Sequence, residues 1–185
     1  MQLTEVKNII AEEKKLYIPN KYAFNKLIHQ KRYMIWRYLQ AFRLAQYYKE
    51  EISLNNTSKL LNLYCKMMSC YYLRKRNILG EKTNIEIANH CRLGRRIQIW
   101  HGGVIINANL GDDCQIHGNN VLGNMGEGRE AEIPSLGKNV DIGVGAAIIG
   151  GITIADNCII GANAMVNKNF LNCGRTIVGI PAREI

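Results

Sequence analysis

The fold is decided by residues 136–166, which read LGKNVDIGVGAAIIGGITIADNCIIGANAMV. Every sixth residue of this stretch is a branched apolar side chain, and the register holds from the first to the last. The positions concerned are Leu136, Ile142, Ile148, Ile154, Ile160 and Val166. A short, fixed period is typical of a chain that repeats one structural unit along an axis. We therefore expect these side chains to point into one continuous core.

Two further positions of the repeat indicate a triangular coil. A second small or apolar side chain lies two residues before each later member of the series, at Val140, Ala146, Ile152, Cys158 and Ala164. It is preceded by a residue type that tolerates a left-handed corner, at Asn139, Gly145, Gly151, Asn157 and Asn163. Three six-residue sides close a triangle, and such coils stack through parallel strands about 4.8 Å apart. The pattern predicts a left-handed parallel β-helix, an all-β fold, from about Glu86 to Val166.

An earlier block has the same period and two irregular steps. Its inward positions are Ile87, Leu93 and Ile99, followed after one slip by Leu110, Ile116 and Leu122. The next step, from Leu122 to Leu136, is fourteen residues long and contains three glycines and Pro134. These turn-forming residues predict a loop at 123–135 that leaves the coil.

The N-terminal part of the chain has a different pattern. Residues 1–80 carry apolar side chains at helical spacing with one weak break at 53–58, which predicts two or three helices. Two apolar stripes are expected to be core: Ile28, Ile35, Leu39, Phe42 and Tyr47 in the first, and Leu60, Leu61, Tyr64, Met67 and Met68 in the second. We expect an N-terminal α-helical domain at 1–80, and a β-helix domain with a C-terminal tail at 81–185.

Charge is distributed unevenly between these two parts. Residues 1–80 carry fifteen Lys or Arg and five Glu, whereas residues 81–185 carry nine Lys or Arg and ten acidic residues. The basic half suggests contact with an anionic membrane face or glycan, although a solvated helix surface also explains it. No aromatic-plus-basic motif supports nucleic acid as a partner. No signal sequence and no apolar run near the roughly 20 residues of a membrane span is visible, so we expect a cytoplasmic protein.

The six cysteines do not follow a metal-binding or disulfide pattern. They include no CxxC pair, and no histidine stands at zinc-ligand spacing from them. Cys91, Cys114 and Cys158 fall on the small inward position of the coil, which favours buried, reduced thiols over catalytic ones. We expect no metal site.

Several segments of the chain are recognisable together. They are Leu93-Gly94, His101-Gly102-Gly103, Leu122-Gly123, the loop to Pro134, Ile142-Gly143-Val144-Gly145-Ala146 and the ending Val178-Gly179-Ile180-Pro181-Ala182-Arg183. They resemble the serine O-acetyltransferases of the hexapeptide-repeat acyltransferase superfamily and their relatives from surface-polysaccharide clusters. The resemblance covers residues 35–185 and implies direct acetyl transfer from acetyl-CoA to a hydroxyl. It also implies a homotrimer, alone or paired with a second trimer, with acetyl-CoA between neighbouring subunits.

The first irregular step holds the candidate base. His101 lies two residues after the inward-facing Ile99, so its side chain should leave the coil wall, as an ordinary surface histidine also would. A hydroxyl becomes a good nucleophile only when a base removes its proton, and histidine suits this near neutral pH. The resemblance implies that His101 is this base and that Glu86, one coil earlier, orients it. Trp100 replaces the Asp that precedes the family's histidine, so one supporting carboxylate is absent.

The second irregular step bears on the acceptor. Loop 123–135 aligns without gaps with the loop of the serine enzymes, whose Asp-Arg-His-Pro reads Ala131-Glu132-Ile133-Pro134 here. In the family the first three of these side chains hold the charged ends of serine, and Glu132 would instead repel the serine carboxylate. The leading hypothesis is therefore acetylation of a neutral sugar hydroxyl, in a surface polysaccharide or its lipid-linked precursor.

The remaining candidate site residues are expected to bind ligands. Trp100, His117 and Asn119 are expected near the acceptor, although each is also an ordinary residue for the outside of a coil. The resemblance implies cofactor contacts at Gly123, Gly143, Val144, Ala162, Lys168 and Arg183. Small residues would admit the narrow pantetheine arm of acetyl-CoA, and the two cations would lie near its nucleotide phosphates.

Three other functions stay open. Serine O-acetylation, a step of cysteine biosynthesis, is disfavoured by Glu132 and Ile133. A metal-dependent hydratase of carbonic-anhydrase type uses the same fold, but His90, His101 and His117 lack the close-spaced histidine pair of its metal site. A non-catalytic β-helix scaffold is the third, and it would not bind acetyl-CoA.

Overall fold

The computed structural model describes residues 2–18, 30–54 and 59–185. Contacts divide the chain into two compact units, Met1–Thr83 and Asn84–Ile185. The division falls three residues beyond the boundary suggested by the change of pattern at 80, because the last helix continues to Thr83. The fold class is the one that the sequence predicts, a left-handed parallel β-helix preceded by α-helices.

The helical unit contains three described helices, α1 (Leu3–Tyr17), α2 (Lys31–Leu54) and α3 (Lys59–Thr83). The central helix α2 fully buries Ile35, Leu39 and Phe42, which confirms this part of the first apolar stripe. Tyr47 in the same stripe is only half-buried, and Ile28 lies outside the described residues. Among the described helices, none is long and apolar enough to cross a lipid bilayer.

A buried ion pair joins α1 to α2. The guanidinium of Arg43 donates two hydrogen bonds to the carboxylate of Glu13, from Nε to Oε2 at 3.0 Å and from Nη2 to Oε1 at 2.5 Å. Glu13 is fully buried and Arg43 nearly so. Two parallel charge-assisted bonds satisfy both groups, and they fix how the two helices face each other.

The second apolar stripe is not core, and this prediction was wrong. Leu60, Leu61, Tyr64 and Met67 are all exposed, and Met68 is half-buried. The physical reason is the orientation of α3, which buries Cys65 and Ser69 on a face beside this stripe and leaves the stripe itself uncovered. Helical spacing identifies a common face of a helix but does not say whether that face is covered.

The β-helix has three parallel faces, and its strands are numbered along the chain. The first face contains β1 (Ile85–Ile87), β3 (Val104–Ile106), β6 (Val121–Gly123), β9 (Ala147–Ile149) and β12 (Met165–Val166). The second contains β4 (Asn109–Leu110), β7 (Ser135–Leu136) and β10 (Thr153–Ile154). The third contains β2 (Gln98–Ile99), β5 (Gln115–Ile116), β8 (Asp141–Ile142), β11 (Ile159–Ile160) and β13 (Thr176–Gly179), and it ends with β14 (Ala182–Glu184), which pairs antiparallel to β13.

The predicted inward positions form the core of this unit. All members of both apolar series between Leu136 and Val166 are buried, which confirms the register. Cys91, Cys114 and Cys158 are completely buried free thiols, as expected. Burial raises the pKa of the Cys91 thiol and raises that of Cys114 to about 11.

Four of the five predicted corners have left-handed backbone, and one prediction is corrected. The φ angles of Asn139, Gly145, Asn157 and Asn163 lie between 53° and 74°, whereas Gly151 is not in this region. At that corner Gly150 takes the left-handed conformation, with φ 99°. The turn comes one residue early at the point where Glu132 of loop 123–135 packs against Gly151, and the Gly150 carbonyl accepts a hydrogen bond from Ile152 N–H at 2.8 Å.

Candidate functional site

The first irregular step is a seven-residue side followed by a four-residue side. Ile106 pairs with both Ile87 and Leu122, so it lies on the first face, seven residues after Ile99 and four before Leu110. The sequence interpretation placed the slip in this interval but did not identify Ile106 as an inward residue. The extra residue falls at the corner that contains His101.

The corner at His101 depends on glycine. Gly103 has φ 77°, and a Cβ atom there would lie 2.2 Å from Oδ1 of Asn119 on the next coil. A Cβ atom on Gly118 would lie 2.8 Å from the Cβ of His101. The backbone beside His117 therefore approaches His101 closely, and only glycine leaves the room for this.

His101 and Glu86 are both exposed, and the structure shows no hydrogen bond between them. Neither side chain makes a hydrogen bond or ion pair to any other described residue. Glu86 lies on β1 opposite Ile105, four residues beyond His101 along the chain. The role of Glu86 as the group that orients His101 therefore stays a prediction.

A carboxylate does orient the other histidine of this region. Nε2 of His117 lies 2.7 Å from Oδ1 of Asp141, and both side chains are about 40% exposed. The indole of Trp100 stacks on the imidazole of His117, with ring centroids 6.2 Å apart and planes 23° apart. Trp100 Nε1 donates a hydrogen bond to Oε1 of Gln115 at 3.3 Å. Trp100, His117, Gln115 and Asp141 thus form one connected group, which we call the His117 cluster.

The stacking of coils explains why these residues meet. Trp100 N–H donates to Ile116 O, and His117 N–H donates to Ile142 O, so the two rings belong to successive coils at the same position. The neighbouring position holds Gln115 and, one coil later, Asp141. Sequence reasoning missed Asp141 and Gln115 because they lie 24 and 15 residues from their partners. Their outward places immediately before Ile142 and Ile116 were the available signal.

Asn119 has a structural explanation in addition to its predicted role near the acceptor. It is exposed, has φ 53°, and packs its amide oxygen over Gly103. Asn163 packs in the same way over Gly145, far from His101 along the coil axis. Contact with the acceptor therefore remains a prediction for Asn119.

The neighbouring Asn120 is a site-forming residue that sequence reasoning missed. It is completely buried, its Oδ1 accepts from Gly118 N–H at 2.8 Å, and its Nδ2 donates to Gly143 O at 2.7 Å. It thereby connects the coil of His117 to the coil of Gly143. The available signal was an amide residue at an inward position, two residues before Leu122.

The glycines of the predicted cofactor groove differ in their surroundings. A Cβ atom on Gly123 would meet only Asn107, at 3.9 Å, so this position faces open space. A Cβ atom on Gly143 would lie 2.6 Å from Ala162 N and 2.8 Å from Ile160 O. The packing of the next coil therefore explains the glycine at 143, and its predicted contact with the cofactor stays a prediction. Val144 and Ala162 are exposed, as a groove wall requires.

The two predicted phosphate-binding cations lie together. Lys168 and Arg183 line one depression of about 380 Å³ near the end of the β-helix, with Phe170 and Glu184. The ammonium of Lys168 lies 5.4 Å from the centre of the Phe170 ring. The nearby Glu184 carboxylate accepts from Asn172, at 3.3 Å and 3.4 Å.

Loop 123–135 presents an exposed acid at Glu132. The Glu132 carboxylate is about half exposed and lies 4.0 Å from Arg129, a long and solvated ion pair. Its Cβ lies near the corner at Gly151, so the loop rests on the coil there. Within the described residues, no three His, Cys, Asp or Glu side chains converge as metal ligands.

The curated proteins that resemble this chain are named serine acetyltransferases. The chain is 42% identical over 106 residues to a serine acetyltransferase of Staphylococcus xylosus, covering 56% of this chain and 49% of that protein. It is 40% identical over 106 residues to a serine acetyltransferase of Helicobacter pylori, covering 56% of this chain and 61% of that protein. The chain thus spans about half the length of the curated relatives it matches. No family model matches it.

A solved structure extends this likeness to nearly the whole chain. The crystal structure of Neisseria gonorrhoeae serine acetyltransferase superposes with a TM-score of 0.70 at 26% identity, covering 99% of this chain and 67% of that one. The predicted resemblance to the serine O-acetyltransferases, within the hexapeptide-repeat acyltransferase superfamily, is thereby confirmed.

Proposed function

We propose that the chain is an acetyl-CoA-dependent O-acetyltransferase. The observation that carries the proposal is the irregular coil step, where the exposed His101 packs close to Gly118, and the preceding residue His117 is hydrogen-bonded to Asp141. The names of the relatives support the same reaction class. Acetyl-CoA acts here as a co-substrate.

The reaction needs a general base and a group that holds the acceptor in place. His101 takes the proton of the acceptor hydroxyl, and the hydroxyl oxygen attacks the thioester carbonyl carbon of acetyl-CoA. The carbon–sulfur bond then breaks, and the departing thiolate receives the proton, giving an acetyl ester and free CoA. If Nε2–H of His117 donates to Asp141, its other ring nitrogen is an acceptor. The one proton of the reacting hydroxyl goes to His101, so we assign His117 to accept a hydrogen bond from a second donor group of the acceptor molecule.

The cofactor arrangement follows the resemblance. The open position at Gly123 and the exposed Val144 and Ala162 give the pantetheine arm an accessible wall. Lys168 and Arg183 lie together and supply positive charge for phosphates. The resemblance implies that a second subunit completes this groove, in a homotrimer.

L-Serine is the acceptor that the relatives favour. Both curated relatives and the solved structure are named serine acetyltransferases, so the comparisons support the serine hypothesis better than the sugar hypothesis. One observation favours a neutral sugar hydroxyl as the second candidate: Glu132 places a solvated negative charge where the serine enzymes hold a carboxylate with arginine. A sugar hydroxyl has no carboxylate for Glu132 to repel.

An acceptor comparison tests both candidates. The purified chain is incubated with acetyl-CoA and either L-serine or a panel of sugars and nucleotide sugars, and release of the CoA thiol is followed. Turnover with serine that is abolished in His101→Ala protein supports the serine enzyme and rejects the sugar acceptor. Turnover with a sugar alone rejects serine. If acetyl-CoA does not bind in calorimetry, the chain is a scaffold and the proposal is wrong.

A further inference from the structure

A groove in the helical unit is separate from the residues discussed so far. It lies between α2 and α3 and has a volume of about 490 Å³, within the range of small-molecule sites. Four cations line it, Arg37 from α2 and Arg74, Lys75 and Lys82 from α3. We call it the α2–α3 groove.

The positive charge of this groove is not neutralised by the described part of the chain. No acidic residue lines it, and none of the four cations makes an ion pair with a described carboxylate. The stretches outside the described residues, 19–29 and 55–58, contain no Asp or Glu in their sequence. Like charges held this close destabilise one another unless an anion binds between them.

The contacts of Arg37 and Lys75 also indicate positive charge that no anion compensates. Arg37 donates from Nη1 to the Tyr33 hydroxyl at 2.8 Å, whereas its buried Nε has no hydrogen-bond partner among the described residues. The ammonium of Lys75 lies 5.8 Å from the centre of the Tyr71 ring. Burial, and then the neighbouring charge of Arg37, lower the pKa of Lys75. An anion placed between these two cations would relieve their repulsion.

The groove also has an apolar wall. Tyr71 and Ile78 lie seven residues apart on one face of α3 and remain 56% and 45% exposed. Arg37 and Arg74 add planar guanidinium groups, which match phosphate oxygens better than a single ammonium does. We propose that the α2–α3 groove binds a ligand that carries a phosphate group on an apolar chain. The shared chemistry is a phosphate ester, either of a soluble metabolite or of a membrane lipid.

Binding of defined phosphate probes to the full chain tests this inference. Geranyl diphosphate and inorganic pyrophosphate are titrated in calorimetry, and phosphatidylcholine vesicles with and without phosphatidic acid are used in flotation. The groove variants are Arg37→Met/Lys75→Met and Arg74→Met/Lys82→Met. The second variant changes only exposed residues, so it should fold normally and still test the groove if the first variant misfolds. The matched control is Lys59→Met/Lys66→Met, which removes the same charge from exposed positions of α3 outside the groove.

The expected result is saturable binding of geranyl diphosphate, weaker for pyrophosphate, and reduced about tenfold or more in both groove variants. The control variant should bind as the unmodified chain does. Vesicle binding that needs phosphatidic acid and is lost with the same variants would identify a lipid source, whereas its absence would identify a soluble one. Failure of every phosphate probe to bind, or an equal loss in the control, would overturn the inference. Acetyl transfer should be unchanged in the groove variants, so this result is independent of the proposed activity.

Discussion

His117 and Asp141 are joined across one coil step by a hydrogen bond of 2.7 Å between Nε2 and Oδ1. The stacking of the coils fixes the orientation of His117, because its partner Asp141 lies on β8 in register with Gln115 of β5. The histidine that resembles the family's base, His101, has no such partner among the described residues. The two histidines therefore have different expected responses to substitution.

Loss of Asp141 should act only through His117. Asp141→Ala and His117→Ala are each expected to lower kcat/KM by about tenfold to a hundredfold, the lower part of the range for acid–base groups. The double variant should lose no more than the stronger single variant, because the two residues act as one unit. Gln115→Ala is the control, since it removes a partner of Trp100 and leaves the His117–Asp141 bond in place. Additive losses in the double variant would show that the two side chains act separately.

Gly123 and Gly143, the two glycines of the predicted cofactor groove, should respond differently to substitution by alanine. Gly143→Ala puts a methyl group 2.6 Å from backbone nitrogen, so we expect a loss of about 1–3 kcal/mol in the free energy of unfolding. Gly123→Ala meets open space and should leave stability within about 0.5 kcal/mol, while raising the KM for acetyl-CoA. Denaturant unfolding and initial-rate kinetics measure the two effects. Equal stability of the two variants would contradict the packing described for Gly143.

The buried ion pair of the helical unit should matter most when only half of it is removed. Glu13→Ala leaves the Arg43 guanidinium buried without its partner, and a loss of about 3–5 kcal/mol is expected. The double variant Glu13→Leu/Arg43→Met should recover much of this loss, because neither charge then remains buried. Urea unfolding of the single and double variants measures the difference. If the double variant were less stable than Glu13→Ala, the attraction within the ion pair would contribute more to the free energy of unfolding than the cost of burying an unpaired charge.

The β-helix thiols should resist alkylation. Cys114 has a pKa of about 11 and no exposed surface, so at pH 8 only about a thousandth of it is thiolate. Iodoacetamide should therefore modify the exposed Cys173 in the native chain and leave Cys91, Cys114 and Cys158 unmodified. Mass spectrometry of tryptic peptides counts the sites. Native-state modification of Cys114 at the rate of Cys173 would show that the core opens.

Much of the β-helix could be predicted because its period is strict. Each inward residue from Leu136 to Val166 is specified by a six-residue step, so one correct register places them all. The prediction failed at Gly151, where the loop rests on the corner and the turn moves to Gly150. The prediction that the stripe from Leu60 to Met67 is buried failed for another reason, because no local sequence pattern indicates which face of α3 is covered.

The two histidines of the candidate site could be predicted from the sequence, but their hydrogen-bond partners could not. His101 and His117 stand at identifiable outward positions, whereas the choice of Asp141 as a partner depends on the length of the one coil step that includes loop 123–135. This step separates His117 from Asp141 by 24 residues. Gly143 shows the opposite case, where a residue assigned to ligand binding is explained by the backbone of the next coil.

The most direct test of the proposed O-acetyltransferase is the rate of CoA release by His101→Ala protein, with acetyl-CoA and the preferred acceptor at saturation. The side chain is exposed and makes no described hydrogen bond, so the variant should fold and bind acetyl-CoA normally. We expect kcat to fall by about 10² to 10⁴-fold, as for loss of a general base. A wild-type rate from this variant would contradict the account.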